Sequence, residues 1–141
     1  MGAGDTMSIT IVIPYTPYKV PVGNRTVNLT ANARNRRRWP DTEARDRMRS
    51  DGFYLGRKAQ EFQDDSFEPE EPLYMDVVCR VKQLRKRDDD NLISGLKWAR
   101  DGIASALGID DHAILSRHPR FERSDIEETQ ITISRTEDSP P

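Results

Sequence analysis

Residues 73–111 read LYMDVVCRVKQLRKRDDDNLISGLKWARDGIASALGIDD. The first ten alternate, with Leu73, Met75, Val77, Cys79 and Val81 apolar and Tyr74, Asp76, Val78, Arg80 and Lys82 between them, which is the period of a β-strand over 73–82. After the basic run Arg85-Lys86-Arg87 the period changes. Leu92, Leu96, Ala99, Ile103 and Leu107 recur at steps of four, three, four and four, so one apolar stripe runs along a helix over 91–107, and Gly108 is placed to cap it. A strand, a helix and then further strands predict a single α+β domain, a mixed β-sheet with helices packed mainly on one face.

The flanking segments extend this pattern. Residues 8–13 alternate Ile9, Ile11 and Ile13 with polar neighbours and read as a strand ended by Pro14 and Pro17. The stretch 15–35 has turn-formers and no period, which predicts a long basic loop with room for a short hairpin. A helix is expected within 41–62, weakened by Gly52 and Gly56, which leave it either whole or in two pieces. Residues 67–72 form an acidic, turn-rich linker. Downstream, 113–121 reads as a strand interrupted at Pro119, and 127–135 as a strand with Thr129, Ile131 and Ile133 on one face. The expected organisation is a flexible leader at 1–7, one domain at 8–136 and a flexible tail at 137–141.

With 141 residues, 33% charged and 35% hydrophobic, the chain can bury a core but not a generous one, and a homodimer would relieve the shortage. The net charge of −2 hides a strong asymmetry. Residues 25–49 carry eight arginines against three acids, residues 61–76 seven acids and no base, and Arg80, Lys82, Arg85, Lys86 and Arg87 form a second basic patch. Phosphate contacts need only one positive face; the bland alternative is a surface of mixed charge. The single cysteine, Cys79, excludes an internal disulfide and belongs to the core, and no Cys/His set has zinc spacing. No apolar run approaches a membrane span and no secretory signal is evident, so a soluble, cytoplasmic protein without a membrane partner is expected.

The chemistry concentrates around Asp88-Asp89-Asp90-Asn91 and Asp110-Asp111. Carboxylates this close repel one another and call for a compensating cation such as Mg2+, with Mn2+ as a substitute. Asp88 and Asp90 point the same way from an extended segment, while Asp90 or Asn91 also suits a helix N-cap, which accounts for one acid but not three. Lys97 lies two turns along the same face from Asp90, where it could meet a scissile phosphate or remain a solvated lysine. A helix of this length spans about 25 Å. Asp111 therefore meets Asp88 only if the chain turns back near Ala113 or a second subunit supplies the partner. His112 could bind phosphate or relay a proton, and His118 reads as a loop residue. Trp39 and Trp98 read as core or interface residues, and Trp39, following Arg36-Arg37-Arg38, also as a wedge against a base.

The run Arg85-Lys86-Arg87-Asp88-Asp89-Asp90-Asn91-Leu92, followed by Gly108-Ile109-Asp110-Asp111, resembles the signature of the RusA-type Holliday junction resolvases, small homodimeric endonucleases of bacteria and their phages. The resemblance is sharp over 85–111 and diffuse elsewhere. It implies Asp88, Asp90 and Asp111 as the catalytic, metal-binding acids and Mg2+ or Mn2+ as the cofactor. The substrate would be branched DNA, a four-way junction opened by paired symmetric nicks in recombination and repair. The family lysine falls four residues after the second aspartate, where this chain has Ser94, and Lys97 is the nearest candidate. Arg34, Arg36, Arg37, Arg38, Arg85, Lys86 and Arg87 would then grip the DNA arms. The alternatives are a non-catalytic DNA-binding or regulatory protein on the same scaffold and a nuclease for other branched DNA.

Overall fold

A computed structural model describes residues 8–30, 42–63, 66–84 and 89–135, with the backbone alone at 89–91. In chain order the elements are β1 (Ser8–Ile13), β2 (Val20–Val22), β3 (Arg25–Val27), α1 (Thr42–Glu61), β4 (Leu73–Val81), α2 (Asp89–Gly95), α3 (Lys97–Leu107), β5 (Ile114–Ser116), β6 (Arg120–Arg123) and β7 (Glu128–Ser134). β2 and β3 make the short hairpin for which the loop had room. The other strands form one mixed sheet in the order β1-β7-β4, with β5 and then β6 on the far edge of β4. β7 runs antiparallel to both β1 and β4, whereas β5 and β6 run parallel to β4. A parallel return needs a crossover, and α2 and α3 supply it. The edge ribbon is interrupted over 117–119, where Arg117 N–H donates to the Met75 carbonyl at 2.9 Å before β6 resumes the pairing.

The alternation in β4 sorts its side chains as its sequence implies. Leu73, Met75, Val77, Cys79 and Val81 join Ile9, Ile11, Ile13, Ile131 and Ile133 in one apolar layer, and Ala44, Met48, Leu92, Leu96, Ala99, Ile103 and Leu107 close it from the helices. The opposite sheet face is polar and internally paired. Thr10 and Thr132 share a hydrogen bond at 3.0 Å, and Arg117 pairs with Asp76 at 3.1 Å. Arg80 pairs with Glu122 at 3.2 Å and Glu128 at 2.9 Å, so it is spent on neighbouring strands rather than standing in a basic patch. Cys79 is fully buried, as a core residue should be.

One helical alternative is settled and one helical expectation is corrected. α1 is one unbroken helix across Gly52 and Gly56. Its inward residues Ala44, Met48, Gly52 and Gly56 recur every fourth position, and the glycines let it sit directly on α3. A Cβ on Gly52 would lie 2.5 Å from the Ala99 carbonyl oxygen, and one on Gly102 would lie 2.1 Å from the Arg49 carbonyl oxygen. The helix-propensity cost of glycine, about 1 kcal/mol each, is offset by this close packing. Conversely, the helix expected over 91–107 is divided between α2 and α3 at Leu96. There the Leu96 N–H is shared between the Leu92 and Ile93 carbonyls at 3.0 and 3.1 Å, a locally tightened turn. The bend falls where Gly95 presses on the 15–30 loop, with a would-be Cβ 2.9 Å from Pro17 Cβ. Because Arg100 N–H still reaches the Leu96 carbonyl at 3.0 Å, the apolar stripe crosses the bend intact.

Among the described residues no helix is long and apolar enough to cross a membrane.

Candidate metal centre

The end of α3 decides where Asp111 goes. Gly108 adopts a left-handed conformation (φ 70°), which glycine reaches without strain, and the Ile109 N–H then caps the Ala104 carbonyl at 3.0 Å. Ile109 turns into the core, and Asp110 N–H donates to the Pro69 carbonyl at 2.8 Å. The Asp110 carboxylate accepts the His112 backbone N–H at 2.9 Å and so starts a single 3-10 turn, Asp111–Ala113. Asp110 is thus a scaffold residue, and Asp111 is the acid turned back toward α3.

Its partner there is Asp101, whose carboxyl hydrogen-bonds that of Asp111. Burial, this hydrogen bond and the charge of Asp111 together push Asp101 above the ordinary carboxyl range, with Lys97 and Arg49 pulling the other way. Lys97 is the first residue of α3, exposed, one helical turn before Asp101, with its Nζ 5.0 Å from the centroid of the Trp98 ring. Ligand atoms of Asp110, Asp111 and His112 also lie within 4.8 Å of one another. The donor set available to an ion is therefore mainly carboxylate oxygen, the type that hard divalent cations such as Mg2+ take. A pair of carboxyls in contact fits such an ion, since a cation would offset their mutual repulsion.

Of the residues singled out in the sequence, Lys97 and Asp111 are described with side chains, and Asp101 links their neighbourhoods. Asp90 lies in the first turn of α2, where only the backbone is described. Asp88, Arg34, Arg36, Arg37, Arg38, Arg85, Lys86 and Arg87 lie outside the described residues, as do the leader at 1–7 and the tail at 137–141. Asp101 was missed by the motif, although its spacing carried a signal: Asp90, Lys97 and Asp101 follow one another at steps of seven and four, one helical face.

No family model matches the chain. A stretch of 49 residues is 47% identical to an uncharacterized protein of Xylella fastidiosa (strain Temecula1), covering 35% of this chain and 31% of that protein. The match spans less than a third of that relative and assigns neither an activity nor a partner.

Proposed function

We propose that the protein is a metal-dependent endonuclease of the RusA type that nicks branched DNA at four-way junctions, working as a homodimer with Mg2+ or Mn2+. The observation that carries this reading is the contact between the Asp101 and Asp111 carboxyls, one helical turn from Lys97. Acids held together against their own repulsion are the means by which a chain concentrates negative charge for a cation. The motif acids Asp88 and Asp90 complete the proposed set. The chemistry a divalent ion would supply here, when bound, is activation of a water and neutralisation of charge building on the phosphodiester. Asp111 and its partner acids would hold the ion, and Lys97 would stabilise negative charge on the phosphate oxygens. The 3-10 turn fixes Asp111 through backbone hydrogen bonds, so the acid is oriented before any ligand arrives. A homodimer would offer two such centres to the two opposed strands of a junction.

The test is a gel assay of the purified protein with synthetic four-way junction, flap and linear duplex, with and without MgCl2. Paired symmetric nicks in the junction, abolished by Asp111→Asn, are expected. A junction that is shifted but stays uncut at every metal concentration refutes the nuclease reading and identifies a binder.

A further inference from the structure

Beside the acid pair, three cations converge on one indole. The Arg45 and Arg49 guanidinium carbons lie 4.8 and 5.6 Å from the centroid of the Trp98 ring, and Lys97 Nζ lies 5.0 Å from it. They come from two helices, α1 and α3, brought together by the glycine seam. Like charges so gathered repel; Asp46 and Asp101 offset those on Arg49 and Lys97 in part. Arg49 pairs with Asp46 at 3.2 Å, in an exposed i,i+3 contact. Among the described residues Arg45 forms no ion pair, and its one hydrogen bond goes to Thr42 Oγ1 at 3.2 Å. Between them on α1, Arg47 turns the other way and is bound to Asp51 at 2.7 Å. Arg49 and Lys97 are near enough to Asp101 for their charge to act on its carboxyl, and Lys97 stands one helical turn from Asp101 on α3, so the cationic cluster neighbours the acid pair.

We infer that Arg45 and Arg49, held around Trp98, form a phosphate clamp that seats a nucleic-acid backbone next to the Asp101–Asp111 carboxyls. The clamp rests on the nuclease reading above and adds to it the residues that hold the strand. Guanidinium groups are suited to this because their planar N–H donors meet two phosphate oxygens at once; on half-buried Arg45 the Nε is buried, so its terminal nitrogens are the ones that would face a phosphate. Trp98, half-buried beneath these cations, attracts them through its ring and so holds them near one another. A carboxylate pair beside a cationic clamp divides the work of a phosphodiester site: the clamp takes the negative backbone, and the acids keep their affinity for a metal ion.

The experiment measures binding without cleavage. Fluorescence anisotropy of labelled four-way junction and of linear duplex is followed in EDTA across a series of salt concentrations, for the full-length protein and for the double variant Arg45→Gln/Arg49→Gln. The variant is expected to bind both DNAs roughly tenfold more weakly, with a salt slope smaller by about 2, because each lost phosphate contact removes close to one released counterion. Unchanged affinity and slope in a variant with a wild-type melting transition overturn the clamp. A second readout guards against a variant that fails to fold. In a Trp39→Phe background, the emission of Trp98 is titrated with duplex DNA, and a salt-reversible change is expected. A Trp98 emission that stays constant through saturation overturns the clamp. Equal displacement of DNA by polyglutamate also overturns it, and points to an acidic protein as the occupant. If the wild type cuts junctions while the double variant binds as tightly as before, the clamp alone is wrong. If the wild type binds neither DNA, the clamp and the nuclease reading fail together.

Discussion

Gly102→Ala is the substitution that bears most directly on both fold and site. A Cβ at this position would lie 2.1 Å from the Arg49 carbonyl oxygen, 2.9 Å from the Phe53 nitrogen and 3.0 Å from the Arg49 carbonyl carbon. All three are backbone atoms of α1, so no rotamer change relieves the contact. Ordinary separation requires moving α1 and α3 apart by about 1 Å, which unpacks Met48, Ala99 and Ile103 from one another. Alanine is the better helix former by about 1 kcal/mol. Overpacking costs about 1–3 kcal/mol where side chains can adjust, and a clash of backbone against Cβ belongs at or beyond the upper end. The net destabilisation is therefore roughly 2–3 kcal/mol, or a fall in Tm of about 5–10 °C for a chain of this size. Urea denaturation followed by far-UV circular dichroism measures it. Gly56→Ala is the internal control, because its Cβ would meet the Ala106 methyl at 3.1 Å, and it should cost much less. The same displacement carries Arg45 and Arg49 away from Trp98, so DNA affinity should fall with stability. A Gly102→Ala protein as stable as wild type, or more stable through its helix propensity, would refute the close α1–α3 seam and the site built across it.

Other outcomes follow from the acid pair and from the β1–α1 contact. Without metal, Asp101 holds its proton more tightly in the folded than in the unfolded state, so stability should decline as pH rises above the ordinary carboxyl value of 3.8. Asp101→Asn should flatten that decline and weaken the rise in Tm on adding MgCl2, both read by thermal melting at several pH values; an undiminished Mg2+ shift would remove Asp101 from the metal centre. Tyr15→Phe removes the hydrogen bond from the buried Tyr15 hydroxyl to Asp51 Oδ2 at 2.7 Å and should cost about 1–2 kcal/mol in urea denaturation. Burial and the Asp51 carboxylate raise the Tyr15 hydroxyl above its ordinary 10.0, so the folded state keeps a proton that the unfolded state loses. Wild-type stability should accordingly fall as pH climbs past 10.0, and that fall should be absent in Tyr15→Phe.

Local pattern was a reliable guide wherever one face of an element meets the core. The period-two run in β4 and the stepped stripe over 92–107 each name a buried face, and every residue of both is buried. The same reasoning left a break at Gly52 and Gly56 open, because propensity counts glycine against a helix and cannot see the neighbouring helix that uses its missing side chain. It also assigned Arg80 to a basic patch, since the glutamates that neutralise it stand on β6 and β7, 42 and 48 residues away in sequence.

The candidate site divides along the same line. The chain alone named Lys97 and Asp111 through an acidic motif, a basic flank and their spacing, and it determined an α+β domain, because side-chain periodicity is a property of neighbours along the backbone. Tertiary structure alone decided that Asp111 turns back onto Asp101, and that Arg45 and Arg49 both stand over Trp98. Those placements depend on the left-handed turn at Gly108 and on how closely two glycine-faced helices approach. Distances between residues far apart in sequence are set by packing, and no local pattern encodes them.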